Sequence, residues 1–134
     1  MEKLLWRAEH GASGRAMRRL QDTAGFVLPH TYLKFLTYSN GGEGPLQVQP
    51  FYLCLNSAEE VVEIVEEGLL EECFPGLFVI GTNGAGEGIA IDPNSTPPFA
   101  VVYFDMTNAN LDESIQALAA DFDGLVGLVG EPDE

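Results

Sequence analysis

Short apolar runs alternate with glycine- and proline-rich breaks along the chain, and the spacing inside each run sets the element it predicts. Ala16, Met17 and Leu20 recur at helical spacing with Arg15, Arg18 and Arg19 between them, so residues 14–23 read as a helix that Gly25 ends. Leu28-Pro29 opens a second helix, because proline suits a first turn whose N–H has no helical partner. Tyr32, Phe35 and Leu36 make its apolar stripe, and Asn40-Gly41-Gly42 is expected to stop it with a left-handed glycine cap. Residues 46–55 read as one strand, with Val48, Phe51 and Leu53 apolar and Pro50 marking an edge or a bulge. Ser57-Ala58-Glu59-Glu60 is a capping box. The helix it opens is expected to run to residue 72, with Ala58, Val61, Val62, Val65 and Leu69 inward and Glu59, Glu63, Glu66 and Glu67 opposite.

Three strands are predicted next, over residues 77–81, 88–92 and 99–105. The first two are joined by the turn Thr82-Asn83-Gly84-Ala85-Gly86-Glu87 and the third follows Pro93-Asn94-Ser95-Thr96-Pro97-Pro98, links short enough for antiparallel pairing. Leu111, Ile115, Leu118, Ala119 and Phe122 keep helical spacing behind Asn110-Leu111-Asp112-Glu113, so a closing helix is expected over residues 111–122. Helices and strands are grouped rather than alternating, which makes the fold class α+β. With 134 residues the chain suits a single domain, 1–134, with its core over about residues 15–122 and an acidic tail from Gly130 to Glu134.

Charge changes this picture. The chain holds 21 acidic residues against six Lys and Arg, for a formal charge of −15. All six cations lie in residues 1–34, whereas residues 35–134 carry 18 acids and no Lys or Arg. Direct binding of nucleic acid or of an anionic membrane is excluded on this ground, since both need cations facing them. A basic protein is the natural partner, set against the alternative that the acids only keep the chain soluble. The pairs Glu59–Glu63, Glu63–Glu67 and Glu67–Glu71 stand four residues apart with no lysine between them, a pattern that each pair makes unfavourable by about 0.3 kcal/mol in an isolated helix. An outside cationic partner gives that pattern a reason.

The chemistry-bearing motifs are missing. The glycine turn at residues 81–88 lacks the Lys-Ser/Thr pair and the following helix of a phosphate loop, and Glu87 would repel phosphate. His10 and His30 are 20 residues apart, no calcium loop or nucleophile elbow occurs, and Cys54 and Cys73 are spaced like buried free thiols. No catalytic residue, metal site or cofactor is expected. No run reaches the roughly 18 apolar residues of a membrane helix. The N-terminus lacks the apolar stretch of a signal peptide, so a cytoplasmic location is expected.

Gly25-Phe26-Val27-Leu28-Pro29-His30-Thr31-Tyr32-Leu33-Lys34-Phe35-Leu36, followed by Ser39-Asn40-Gly41-Gly42, resembles the opening signature of the SUKH superfamily, which includes the Smi/Knr regulators of cell-wall assembly and many small bacterial proteins. The strand into Gly81, the turn with Gly86, the strand ending in Asp92 and the strand 99–105 are similar to its second block. Where that family commonly has a glutamate before the first glycine this chain has Gln21-Asp22, and His30 replaces the usual acid after Leu-Pro. The resemblance implies a non-enzymatic domain with a twisted, largely antiparallel sheet and flanking helices. In bacteria it implies an immunity protein that binds and neutralises a cognate toxin, here a cationic nuclease; the alternative is a regulatory or scaffold domain of the Smi/Knr type. Glu43, Glu59, Glu63, Glu66, Glu67, Glu87, Asp92 and Asp105 are the expected partner contacts. Leu28, Pro29, Tyr32, Phe35, Leu36, Asn40, Gly41, Gly42, Gly81 and Gly86 are the expected fold determinants. A third possibility, a small-molecule or hydrolytic site, would need a deep pocket lined by Tyr32, Asn40 and Asp92.

Overall fold

A computed structural model describes residues 6–68, 76–107 and 115–130. Along these residues run β1 (Arg7–Ala8), α1 (Gly14–Ala24), α2 (His30–Tyr38), β2 (Gly42–Pro45), β3 (Tyr52–Leu55), α3 (Ala58–Glu67), β4 (Phe78–Thr82), β5 (Glu87–Ile91), β6 (Val101–Asp105), β7 (Gln116–Ala119) and α4 (Phe122–Gly127). The strands form one open sheet in chain order, every neighbour antiparallel, with β1 and β7 at its edges. The fold is α+β.

Side chains of successive strand residues point to opposite faces, and here the two faces are covered differently. Leu53, Leu55, Phe78, Ile80, Ile89, Ile91 and Val101 join Leu20, Tyr32, Phe35, Leu36, Val61, Val62, Phe122 and Leu125 from the four helices in the main core. Val79, Ala90, Val102 and Phe104 turn the other way into a smaller buried cluster with Leu77, Met106 and Ile115 around it. Burial on both faces is why β4 to β6 read as unbroken apolar runs rather than alternating ones.

The helix starts follow the sequence closely. The Ser13 hydroxyl accepts from the Ala16 N–H at 3.1 Å and Gly25, at φ 80°, ends α1. Both halves of the capping box at α3 are formed. That helix ends at Glu67, capped by Gly68 at φ 72°, five residues short of the expected end; Leu69 and Glu71 lie outside the described residues. The stop of α2 is also different from the expectation. Its C-cap is Ser39 in extended conformation, not a left-handed glycine. Gly41 and Gly42 do have positive φ, 95° and 113°, but they serve β2: a Cβ on Gly41 would stand 2.8 Å from the Leu55 carbonyl oxygen, and one on Gly42 would stand 2.6 Å from that of Arg7.

Two larger corrections concern the strands. Residues 46–55 are not one strand. β2 and β3 are a hairpin, and residues 46–51 are its connection, with a cis bond between Gln49 and Pro50 and Phe51 at φ 68°. Val48 and Phe51, read as strand positions, are 41% and 48% exposed on that connection. The closing helix over 111–122 is likewise absent from its second half: Gln116–Ala119 is β7, paired with β6, and the terminal helix begins only at Phe122 behind an Asp121 cap. An i, i+3, i+4 pattern in a short apolar run fits an edge strand nearly as well as a helix, and pairing to Val101–Tyr103 decides for the strand. Leu111 lies outside the described residues, as do Cys73 and residues 131–134.

Candidate protein-binding surface

The helix α3 is where the sequence concentrates its charge. Ala58, Val61 and Val62 are buried, so Glu59, Glu60, Glu63, Glu66 and Glu67 are turned to solvent along the other side. Among the described residues one of these carboxylates is ion-paired within the chain. Arg19 of α1 reaches both oxygens of Glu66 at 3.3 Å, the one ion pair among the described residues, with both side chains more than half exposed. A shallow groove of about 350 Å³ runs between α1 and α3, lined by Ala16, Arg19, Glu59, Glu60, Val62, Glu63 and Glu66. A cationic side chain lying there, beside Arg19, would meet three carboxylates that no described cation is paired with.

The start of α3 is fixed by Asn40, which carries two bonds at once. Its Oδ1 accepts from the Ala58 N–H at 2.7 Å and its Nδ2 donates to Glu59 at 2.8 Å. The Asn40 bond is the main reason that the Glu59 carboxyl is held below the usual carboxylate range. Asparagine is therefore needed for its paired donor and acceptor, which neither Asp nor Gly supplies. Ser39, fully buried, works beside it. Its hydroxyl accepts from Trp6 Nε1 and from the Glu9 N–H and donates to the Gly41 carbonyl, which ties the N-terminal strand to the end of α2. Periodicity alone gave no signal for Ser39 or Trp6.

The remaining acids fall at three other places. Glu43 lies on β2 opposite Arg7 and Cys54, on the sheet face away from the helices, and accepts from the Tyr52 hydroxyl at 2.7 Å. That bond pushes the Tyr52 phenol up, and partial burial followed by the Glu43 charge does the same to the Cys54 thiol. Glu87 and Asp105 face each other across β5 and β6, two like charges in register. Each is tied locally: Glu87 accepts from the Asn83 amide across the glycine turn, and Asp105 from the N–H and hydroxyl of Thr107, which hold its carboxyl below the ordinary range. Asp92 sits beyond the opposite end of β5 and caps its own turn through the Asn94 N–H. The eight acids thus divide into an α3 row, a Glu87–Asp105 pair, and Glu43 and Asp92 standing separately.

Gln21, the departure noted in the sequence, also has a geometric reason. Its amide donates to the Phe26 carbonyl at 2.6 Å and accepts from the Leu28 N–H at 3.0 Å, so it bridges the α1–α2 link with both ends. A carboxylate could accept from Leu28 but could not donate to Phe26. His30 is exposed on the first turn of α2.

Tyr32, Asn40 and Asp92 do not share a pocket. Tyr32 is completely buried against Phe122, Asn40 is engaged with α3, and neither lines the α1–α3 groove or the apolar groove of about 450 Å³ bounded by Phe26, Val65, Leu77 and Pro93. The Tyr32 hydroxyl has no hydrogen-bond partner, and burial pushes its ionisation far above the usual phenol value. No three His, Cys, Asp or Glu among the described residues are grouped to hold a metal ion, and no described helix is long and apolar enough to cross a membrane.

The sequence model described as SMI1 / KNR4 family (SUKH-1) matches residues 11–126, from the link before α1 to the last turn of α4. No curated protein matches the chain.

Proposed function

The chain belongs to the SMI1/KNR4 family (SUKH-1), and from that premise we propose that it is a non-catalytic cytosolic immunity protein that binds one cationic nuclease toxin and occludes it. The observation that carries this reading is the α3 row. Glu59, Glu63 and Glu67 project from a capped helix, and the one ion pair among the described residues, from Arg19, goes to Glu66. Carboxylates held in one array without counter-charges raise the rate at which a cationic protein arrives, and fix its register on contact. A nuclease must present cations to hold a phosphate backbone, so an acidic row of this kind competes for the surface that its substrate uses. Glu43, Glu87, Asp92 and Asp105 are proposed as outlying contributors to the same field.

Co-expression with a toxin encoded beside the gene is the direct test. Protection from the toxin, together with binding that weakens steeply as salt is raised, is the expected result. Absence of both protection and binding at low salt would overturn the reading. Recovery of a housekeeping complex, with no toxin gene adjacent, would instead favour a regulatory or scaffold role of the Smi/Knr type.

A further inference from the structure

Large apolar side chains are exposed at only four described positions, and two of them, Val48 and Phe51, sit on the six-residue connection between β2 and β3. Phe51 is held there at φ 68°, a conformation that a bulky residue adopts at a cost of about 1 kcal/mol. The connection is nevertheless firmly built. Phe51 donates to the Val48 carbonyl at 2.8 Å and accepts from the Leu46 N–H at 2.9 Å. Leu46 and Pro50 are buried, Gln47 donates to the Leu128 carbonyl behind α4, and Tyr103 of β6 donates to Gln49. An aromatic ring is thus presented to solvent on a frame that has already lost its freedom, which removes most of the ordering cost of an interface contact.

The charges around it indicate what would cover it. The elements that hold this connection (β2, β3, β6 and α4 with Asp121 at its cap) carry Glu43, Asp105, Asp121 and Asp123 and no Lys or Arg, the nearest cation in the sheet being Arg7 of β1 opposite Glu43. A second copy of a chain charged −15 is repelled from such a surface. Ala58, at the start of α3, is seven residues on from Phe51, at most about 23 Å at the strand rise, which is within the footprint of a standard interface.

Resting on the reading of a cationic protein partner given above, we propose that Phe51 and Val48 form the apolar anchor of that interface, entering a hydrophobic socket on the partner that is rimmed by Lys and Arg, with the α3 carboxylates engaging the same partner beside it. The acids then set the approach, and the Phe51 ring sets the lifetime of the complex.

Photocrosslinking from the full-length chain in its native cells tests this, with Phe51→p-benzoylphenylalanine compared against the same replacement at Glu63 and at the exposed Val27. A basic protein captured from position 51 and not from position 27, whose affinity for the purified chain drops about thirtyfold with Phe51→Gly and is unchanged with Val27→Asp, is the expected outcome. That result holds whether the captured protein is a nuclease toxin or a housekeeping protein, and its identity then decides the proposed function separately. Capture from position 63 but not from 51 overturns the anchor and leaves the toxin reading standing; capture of a second copy of this chain from position 51 overturns the anchor as well. Silence at both positions removes both. Phe51→Gly must melt no lower than the wild type, because a lower melting temperature would mean that the ring serves the fold rather than a partner.

Discussion

Two turns in this molecule are built alike and used in opposite ways. Val48-Gln49-Pro50-Phe51 and Thr96-Pro97-Pro98-Phe99 each contain a cis proline followed by a phenylalanine at positive φ, 68° and 79°, and each is closed by the phenylalanine N–H donating three residues back. Phe99 turns inward, edge-on to Phe26 with ring centroids 5.3 Å apart, and packs against the main core. Phe51 turns outward and is 48% exposed. The same positive φ thus carries a ring packed on the core in one turn and a half-exposed ring in the other. The lesson is that a strained residue is informative only together with what its side chain touches.

That contrast can be broken by mutation. Phe99→Ala should lower unfolding stability by about 2 kcal/mol, read from urea denaturation, whereas Phe51→Ala should change it little. Equal losses at the two sites would show that Phe51 is packed after all. Next in size is the backbone contribution alone. Glycine should be more stable than alanine by about 1 kcal/mol at both positions, because only glycine takes positive φ freely, and a gap at one turn but not the other would mean that the turns are not alike. Tyr32→Phe extends the comparison to a buried ring whose hydroxyl has no partner. It should leave stability unchanged or raise it by up to about 1 kcal/mol, and a clear loss would reveal a bond for that hydroxyl.

The smallest effect sorts the acids in the same way, into those the fold uses and those it leaves free. Glu59→Gln and Glu63→Gln both relieve the Glu59–Glu63 repulsion, Glu63→Gln relieves that with Glu67 as well, and only Glu59→Gln disturbs the bond from Asn40. Because the folded Glu59 carboxyl is held below its ordinary value, its contribution is present at neutral pH and is lost as the pH falls through the carboxylate range. Glu63→Gln should therefore melt above Glu59→Gln at pH 7, by an amount worth about 0.3 kcal/mol after solvent screening, and the gap should close as the pH falls below the ordinary carboxylate range. A gap that persists in acid would assign it to something other than the carboxylate.

Much of the architecture was legible where local chemistry and tertiary packing agree. Ser57 with Glu60, Gly25 after α1 and the Tyr32-Phe35-Leu36 stripe each specify an element by themselves. The hairpin at residues 42–55 was not legible, because its left-handed position is filled by Phe51 rather than Gly or Asn and nothing in Gln47-Val48-Gln49 announces a turn. The stretch 116–119 was misread because a four-residue edge strand is decided by its neighbour β6, not by its own spacing. Within the candidate surface, the sequence shows that Glu59, Glu63 and Glu66 share a helix face. It does not show that Asn40 holds the first and Arg19 the third, since those bonds link residues 19 and 47 positions apart.

The sheet order has one further consequence, for the order in which the chain acquires its structure. Each strand pairs with the one made just before it, so β-pairing can advance as the chain leaves the ribosome, and no strand has to wait for a distant partner. The helical layer behaves differently. Phe122, on the last described helix, meets Tyr32 and Phe35 of α2 edge-on, and Leu125 fills the core beside it. The nascent sheet is therefore left with an unsealed apolar face until α4 emerges, and removing α4 should leave paired strands without a closed interior.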